Sequence, residues 1–149
     1  MKADPKLSDI HKPVSRIMSS PVVWIDANAS AAEAAAQMMI HGVGFLPVLK
    51  DGDVVGTVTD RDLAIDTLPR HKDVARQLVH EIMHYGVQTC TERTTVEEAA
   101  HLMGHHQVRR LPVLNAKGVL MGVVSVADIA VEVSEHLAGE TLGEIAEER

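Results

Sequence analysis

The chain is nearly without aromatic residues: Trp24, Phe45 and Tyr85 are its whole complement. Apolar residues still make up 46% of it. A core must therefore be assembled from Val, Ile, Leu, Met and Ala. Cysteine is as scarce. Cys90 stands alone, which excludes an intramolecular disulfide and fits a reducing, cytoplasmic compartment. No apolar run approaches the ~20 residues of a membrane-spanning helix. The opening Met1-Lys2-Ala3-Asp4-Pro5 lacks the apolar stretch of a signal peptide. Basic residues are the minority, 14 against 21 acidic, for a net charge of −7. A general binder of phosphate backbones needs the opposite balance, so nucleic acid is not the expected partner. Phosphate-loop lysine, nucleophile-elbow and His-Glu zinc-helix patterns are all missing. Acidic side chains are spread along helix faces, not paired in a cleft, so the chain reads as a non-enzyme.

What is present is a repetition. Ile17-Met18, Val22, Leu46-Pro47-Val48-Leu49 and Gly56-Thr57-Val58-Thr59-Asp60-Arg61-Asp62 come once. They return as Ile82-Met83, Val87, Leu111-Pro112-Val113-Leu114 and Gly122-Val123-Val124-Ser125-Val126-Ala127-Asp128. Ile82 stands 65 residues after Ile17, and Gly122 stands 66 after Gly56. One residue has thus been inserted within Asn115-Ala116-Lys117-Gly118. A period this long is not a solenoid unit; it marks two similar folding units. Each would bury too little surface to fold well alone, so the halves are expected to share cover.

Each repeat reads β-α-β-β-α, an α+β class with the two repeats packed as a pseudo-twofold pair. The expected domains are 13–69 and 78–133, preceded by a polar, loose segment 1–12 and followed by an acidic, helix-prone tail 134–149. In the first repeat, Val14 to Met18 forms a helical turn and Val22 to Ile25 is extended. Ser30-Ala31-Ala32-Glu33 opens an Ala- and Met-rich helix with a capping box, closed by Gly42 or Gly44. Leu46 to Leu49 and Val54 to Val58 are strands joined at Asp51-Gly52, a hairpin signal. Thr59 caps a second helix that Pro69 ends. Residues 70–81, from His71-Lys72-Asp73 onward, connect to a lead-in helix. The second repeat runs Val87 to Cys90, a helix from Thr95, strands Leu111 to Leu114 and Val119 to Val124, and a helix from Ser125.

The sharpest motif is Gly-x-Val-Thr/Ser-x-x-Asp, at Gly56 to Asp62 and Gly122 to Asp128. A hydroxyl with free amides suits a phosphate. A carboxylate one turn in can accept from both ribose hydroxyls. The same residues are also capping boxes, and Ser30-x-x-Glu33 and Thr95-x-x-Glu98 show that this chain caps helices so elsewhere. Spacing alone leaves both readings open.

Met18 before a strand, the Leu-Pro-Val strand, the Gly-ended hairpin and the Thr/Ser-x-x-Asp helix together resemble the cystathionine-β-synthase (CBS) domain. Two in tandem resemble a Bateman module, over roughly residues 13 to 132. Thr59-Asp60-Arg61-Asp62-Leu63 and His105 to Val113 are similar to the small stand-alone bacterial type. The resemblance implies a regulatory protein binding AMP, ADP, ATP or a related adenosyl ligand in clefts between the domains, with no cofactor required for chemistry. It implies ribose at Asp62 and Asp128, phosphate near Thr59 and Ser125, and the base framed by Val22, Val23, Val87 and Gln88. The strands Leu46-Pro47 and Leu111-Pro112 complete the implied contact set. The repeats differ where Asp60-Arg61 becomes Val126-Ala127, so Arg61 has no counterpart cation. Arg109-Arg110, standing where the first repeat has Gly44-Phe45, reads equally as a phosphate contact across the pseudo-twofold and as a solvated strand entry. The competing class is an interaction module whose only role is dimerisation.

Other signals have plainer readings. His101 and His105 are spaced for zinc, but Ala99, Ala100 and Met103 mark the buried side, which turns both histidines to solvent; no metal site is expected. Cys90 takes the inward position of Ile25 and is expected to be buried and inert. Met38, Met39, Met83 and Met103 suit core or interface packing. Asp51-Gly52-Asp53 is a turn without the ligand series of a calcium loop. The helix Ala31 to Ile40 carries only Glu33 and Gln37 as polar breaks, and Leu63-Ala64-Ile65 and Ile129-Ala130-Val131 are also apolar. Such broad faces predict a twofold homodimer.

Overall fold

In the computed structural model, residues 7–70 and 73–147 are described. Both repeats adopt the expected β-α-β-β-α order. In the first, β1 (Ile25–Asp26), α1 (Ala31–His41), β2 (Phe45–Lys50), β3 (Asp53–Thr59) and α2 (Asp60–Thr67) follow one another. In the second, β4 (Cys90–Thr91), α3 (Val96–His106), β5 (Arg110–Leu114), β6 (Leu120–Ser125) and α4 (Val126–Glu132) do the same, and α5 (Glu135–Ala146) is added. Each repeat makes a three-stranded sheet, β1-β2-β3 and β4-β5-β6, whose first strand is parallel to the second and whose hairpin is antiparallel.

The local chemistry explains the elements. Ser30 accepts from the Glu33 amide while the Glu33 carboxylate accepts from the Ser30 amide, so both ends of the box are closed. Gly42 ends α1 in the left-handed region at φ 64°, where a glycine costs least. The β2–β3 turn uses two positive-φ residues, Asp51 and Gly52, as a tight hairpin requires. In α1, Ala31, Ala34 and Met38 are buried, the spacing of one helix face. The cores contain no aromatic ring. One gathers around Leu46, Val48 and Val58, the other around Leu111, Val113 and Val124.

The compact units do not follow the repeat boundaries. One unit is Val23–Val87; the other is the described part of Met1–Val22 together with that of Gln88–Arg149. The stretch that leads into the first repeat thus packs with the second, and the reverse. Val14 and Ile17 join the core of the second sheet, and Val79, Ile82 and Met83 join that of the first. Ser19 bridges to Val123 and His84 bridges to Thr57, each through a reciprocal pair of backbone hydrogen bonds. A glycine precedes each bridge. A Cβ on Gly56 would stand 2.8 Å from the His84 carbonyl oxygen, and one on Gly122 would stand 2.7 Å from that of Ser19. The glycines of the motif therefore serve close backbone approach.

Some expectations change. The extended segments from Val22 and Val87 are strand only over their last residues, Ile25–Asp26 and Cys90–Thr91, because only these pair with β2 and β5. The lead-in helix is a single 3₁₀ turn, Val79–Glu81, as is Val14–Arg16. Of the segment 1–12, residues 1–6 lie outside the described residues, and Leu7–His11 forms a 3₁₀ turn. His71 and Lys72 of the connector also lie outside them. The acidic tail is helical, and its helix α5, capped by Ser134, packs on α3 and α4 with Ala138, Thr141 and Ile145 buried. Only residues 148–149 of that tail fall outside the description.

Candidate functional site

Both Thr/Ser-x-x-Asp motifs lie where a hairpin strand runs into a helix. The hydroxyl ends the strand, and the carboxylate stands at the third helical position. Thr59 Oγ1 accepts from the Asp62 amide at 3.1 Å, and Asp62 Oδ2 accepts from the Thr59 amide at 2.8 Å. Ser125 and Asp128 repeat this at 3.1 and 2.8 Å. The capping function is therefore real at both, as it is at Ser30–Glu33 and Thr95–Glu98. It consumes one oxygen of each carboxylate and leaves the other for a second partner.

The second oxygen distinguishes the motifs. Asp62 is 7% exposed, and its Oδ1 lies 2.7 Å from His84 Nε2. Asp128 is half-buried, and among the described residues its Oδ1 has no hydrogen-bond partner. His84 was not singled out from the sequence. The repeat does contain the signal: His84 follows Ile82-Met83 as Ser19 follows Ile17-Met18, so the two positions align although their side chains differ.

The cations fall unevenly too. Arg61 is exposed on the first turn of α2, where the second repeat has Ala127, also exposed. Arg110 opens β5 and is in register with Ser125, as Phe45 is with Thr59. The Val126 amide donates to the Arg109 carbonyl, as Asp60 donates to that of Gly44. The arginine pair is thus fixed beside the hydroxyl of its own repeat.

The remaining expected residues divide by exposure. Leu46, Pro47, Leu111 and Pro112 are buried in the hairpins. Val23 is half-buried against the first core, Val22 and Val87 are half-buried, and Gln88 is exposed. Two open depressions lie elsewhere, along α3. One of about 300 Å³ is lined by Gly104, His105, Gln107, Glu144 and Glu147, the other of about 490 Å³ by Thr94, Glu97, Glu98, His101 and Leu102. Neither includes a motif residue.

Cys90 is 4% exposed, and burial pushes its thiol up to about 11, with a Thr94 hydrogen bond acting the other way. It sits in the parallel strand opposite Val113, as Ile25 sits opposite Val48. His101 and His105 are exposed, and no grouping of three or more His, Cys, Asp or Glu suited to a metal occurs among the described residues. No helix among them is long and apolar enough to cross a membrane.

Two hairpin-and-helix repeats, each with a hydroxyl–carboxylate pair at one register, define a tandem α+β repeat architecture. The CBS domain model matches residues 14–65 and 79–135, and the chain belongs to the CBS domain family. It is 34% identical over 134 residues to the CBS domain-containing protein YhcV of Bacillus subtilis, covering 89% of this chain and 94% of that one. Among solved structures it is similar to the CBS domain pair of protein MJ0100, in complex with 5′-methylthioadenosine and S-adenosyl-L-methionine. There the TM-score is 0.70 and the identity 29%, over 80% of this chain and 97% of the other. It is also similar to CBSX2 in complex with AMP, with a TM-score of 0.67, 27% identity and coverage of 80% and 93%.

Proposed function

We propose that this chain is a regulatory module that binds an adenosine nucleotide (AMP, ADP or ATP) or a related adenosyl ligand and performs no chemistry of its own. Asp62 and Asp128 accept from ribose hydroxyls. Thr59, Ser125 and the amides beside them receive phosphate, with Arg61 and Arg110 as the nearby cations. Val22, Val23, Val87 and Gln88 frame the base. The observation that supports this best is the second carboxylate oxygen, which helix capping does not need, held at the same register in both repeats of a chain similar to solved structures in complex with AMP and with adenosyl ligands. A ligand that prefers one arrangement of the protein over another becomes a signal by shifting its population.

A second reading has its own observation: two of the four capping boxes, Ser30–Glu33 and Thr95–Glu98, lie outside either motif. Under it, Asp62 and Asp128 are caps only, and the protein works by self-association. Exposed Met39, Ile40, Ile65 and Leu68 on α1, α2 and the end of α2 support a homodimer under either reading. Calorimetry with AMP, ATP and GTP, together with mass spectrometry of small molecules released from gently purified protein, separates the two. Saturable binding that favours adenine nucleotides supports the ligand reading. Absence of any adenosyl ligand in both experiments leaves the second.

A further inference from the structure

We infer that the His84 imidazole is a built-in competitor at the Asp62 carboxylate, so that a ligand at the first motif must displace a side chain that a ligand at the second motif never meets. The inference rests on the ligand reading above and names a regulation of that same site. Asp62 Oδ2 is taken by the Thr59 amide and Oδ1 by His84 Nε2 at 2.7 Å. A carboxylate only accepts, so the ring must donate its Nε2 hydrogen, whether neutral or protonated. Ribose hydroxyls also donate. They approach the same oxygen, and the imidazole already occupies the space in front of it.

The competitor is poised to leave. The His84 side chain is 70% exposed, whereas that of Asp62 is 9% exposed. The histidine reaches a buried acceptor from solvent, and swinging it out disturbs no core packing. Its backbone stays anchored, donating to the Thr57 carbonyl at 2.9 Å and accepting from the Thr57 amide at 3.1 Å. Ser19 has the equivalent backbone anchor, donating to the Val123 carbonyl at 2.9 Å and accepting from the Val123 amide at 3.3 Å. The two positions are thus equivalent in fold and opposite in chemistry. One holds an imidazole long enough to engage the carboxylate of its unit. The other holds a serine, and Asp128 Oδ1 has no partner among the described residues.

The test is AMP calorimetry on the full chain in an Asp128→Ala background, which reads the first site alone, with and without His84→Ser. Serine reproduces what the second repeat has. The histidine half of the pair is open to solvent, which keeps the contact weak, so affinity should tighten by roughly two- to fivefold. Conversely, Ser19→His in an Asp62→Ala background should loosen the second site. A readout on the unaltered protein runs in parallel: the His84 ring resonances should shift in step with AMP saturation. Unchanged affinity in His84→Ser, or ring resonances that stay put while AMP saturates the first site, overturns the inference and leaves the ligand reading standing. No saturable AMP binding by any of these proteins overturns both.

Discussion

Gly122 lies directly beneath Met18: a Cβ added to the glycine would stand 2.7 Å from the methionine sulfur and 2.7 Å from the Ser19 carbonyl oxygen. The sulfur can move, but the carbonyl belongs to a paired backbone bridge. Gly122→Ala is therefore expected to destabilise the protein by roughly 1–3 kcal/mol, the usual cost of forcing extra volume into a packed site. Gly56→Ala, facing Met83 and the His84 carbonyl, should cost a similar amount. Urea unfolding measures both. A Gly122→Ala protein as stable as its parent would contradict the packing described here.

The two roles proposed for Asp62, helix cap and ribose acceptor, predict a double loss. Asp62→Ala should lower stability by about 1 kcal/mol through the lost cap and should also weaken AMP binding. Ser30→Ala is the control, because it removes a cap outside either motif. It should cost a similar amount of stability and leave affinity alone. If Asp62→Ala and Ser30→Ala behave alike in calorimetry, capping is the whole role of Asp62.

The cations should make the sites unequal in phosphate preference. Arg61 on α2 has only Ala127 as its counterpart. A charge-assisted hydrogen bond to phosphate contributes roughly 1.5–3 kcal/mol when well placed, and less at an exposed side chain. Arg61→Ala should therefore weaken ATP more than AMP at the Asp62 site. Equal losses for the two nucleotides would remove Arg61 from the phosphate contact.

The exposed apolar side chains of the first unit predict self-association. Met39 is 79% exposed and Ile40 66%. Light scattering at micromolar concentration should report about twice the 16.1 kDa chain mass, and Met39→Glu with Ile40→Glu should shift the particle toward a single chain. A 16.1 kDa particle with and without nucleotide would remove the dimer.

Cys90 should resist thiol reagents at neutral pH in the folded protein, because the thiolate is the reactive form and burial disfavours it. The folded thiol titrates higher than the unfolded one, at about 11 against 9.0. The stability linked to this group is thus fully present below pH 9.0 and is lost as pH rises from there toward 11. Cys90→Ala should lack that alkaline component, so the difference in unfolding free energy between it and the parent should narrow across the same window. A constant difference would show that the thiol titrates alike in both states.

The repeat made the architecture legible. Leu46-Pro47-Val48-Leu49, Asp51-Gly52 and Ser30-x-x-Glu33 each carry a local instruction, of strand, turn or cap, and each was followed. Cys90 could be read as an inward strand residue because Ile25 shares its position in the repeat, and it is buried. Three features were not legible, and for one physical reason: they depend on contacts between segments far apart in the chain. The lead-in segments pack with the other repeat, which no local pattern encodes. The sequence marks Gly56 and Gly122 only as the first residues of a motif; in the fold they accommodate a crossing backbone. His84 lies 22 residues from the carboxylate it engages, between Ile82-Met83 and Val87, where the repeat pattern assigns it no role of its own.

The exchange of lead-in segments also orders the birth of the protein. Unit Val23–Val87 is continuous in the chain, whereas the other unit is assembled from both ends. During synthesis, which runs from the N-terminus, every residue of the continuous unit has been made before the second sheet exists. Val14 and Ile17, made first, find their core partners Leu111 and Val124 only after those late residues arrive. The apolar turn around Val14 and Ile17 must wait for strands made about a hundred residues later, so its unit stays open while every residue of the continuous one is already present.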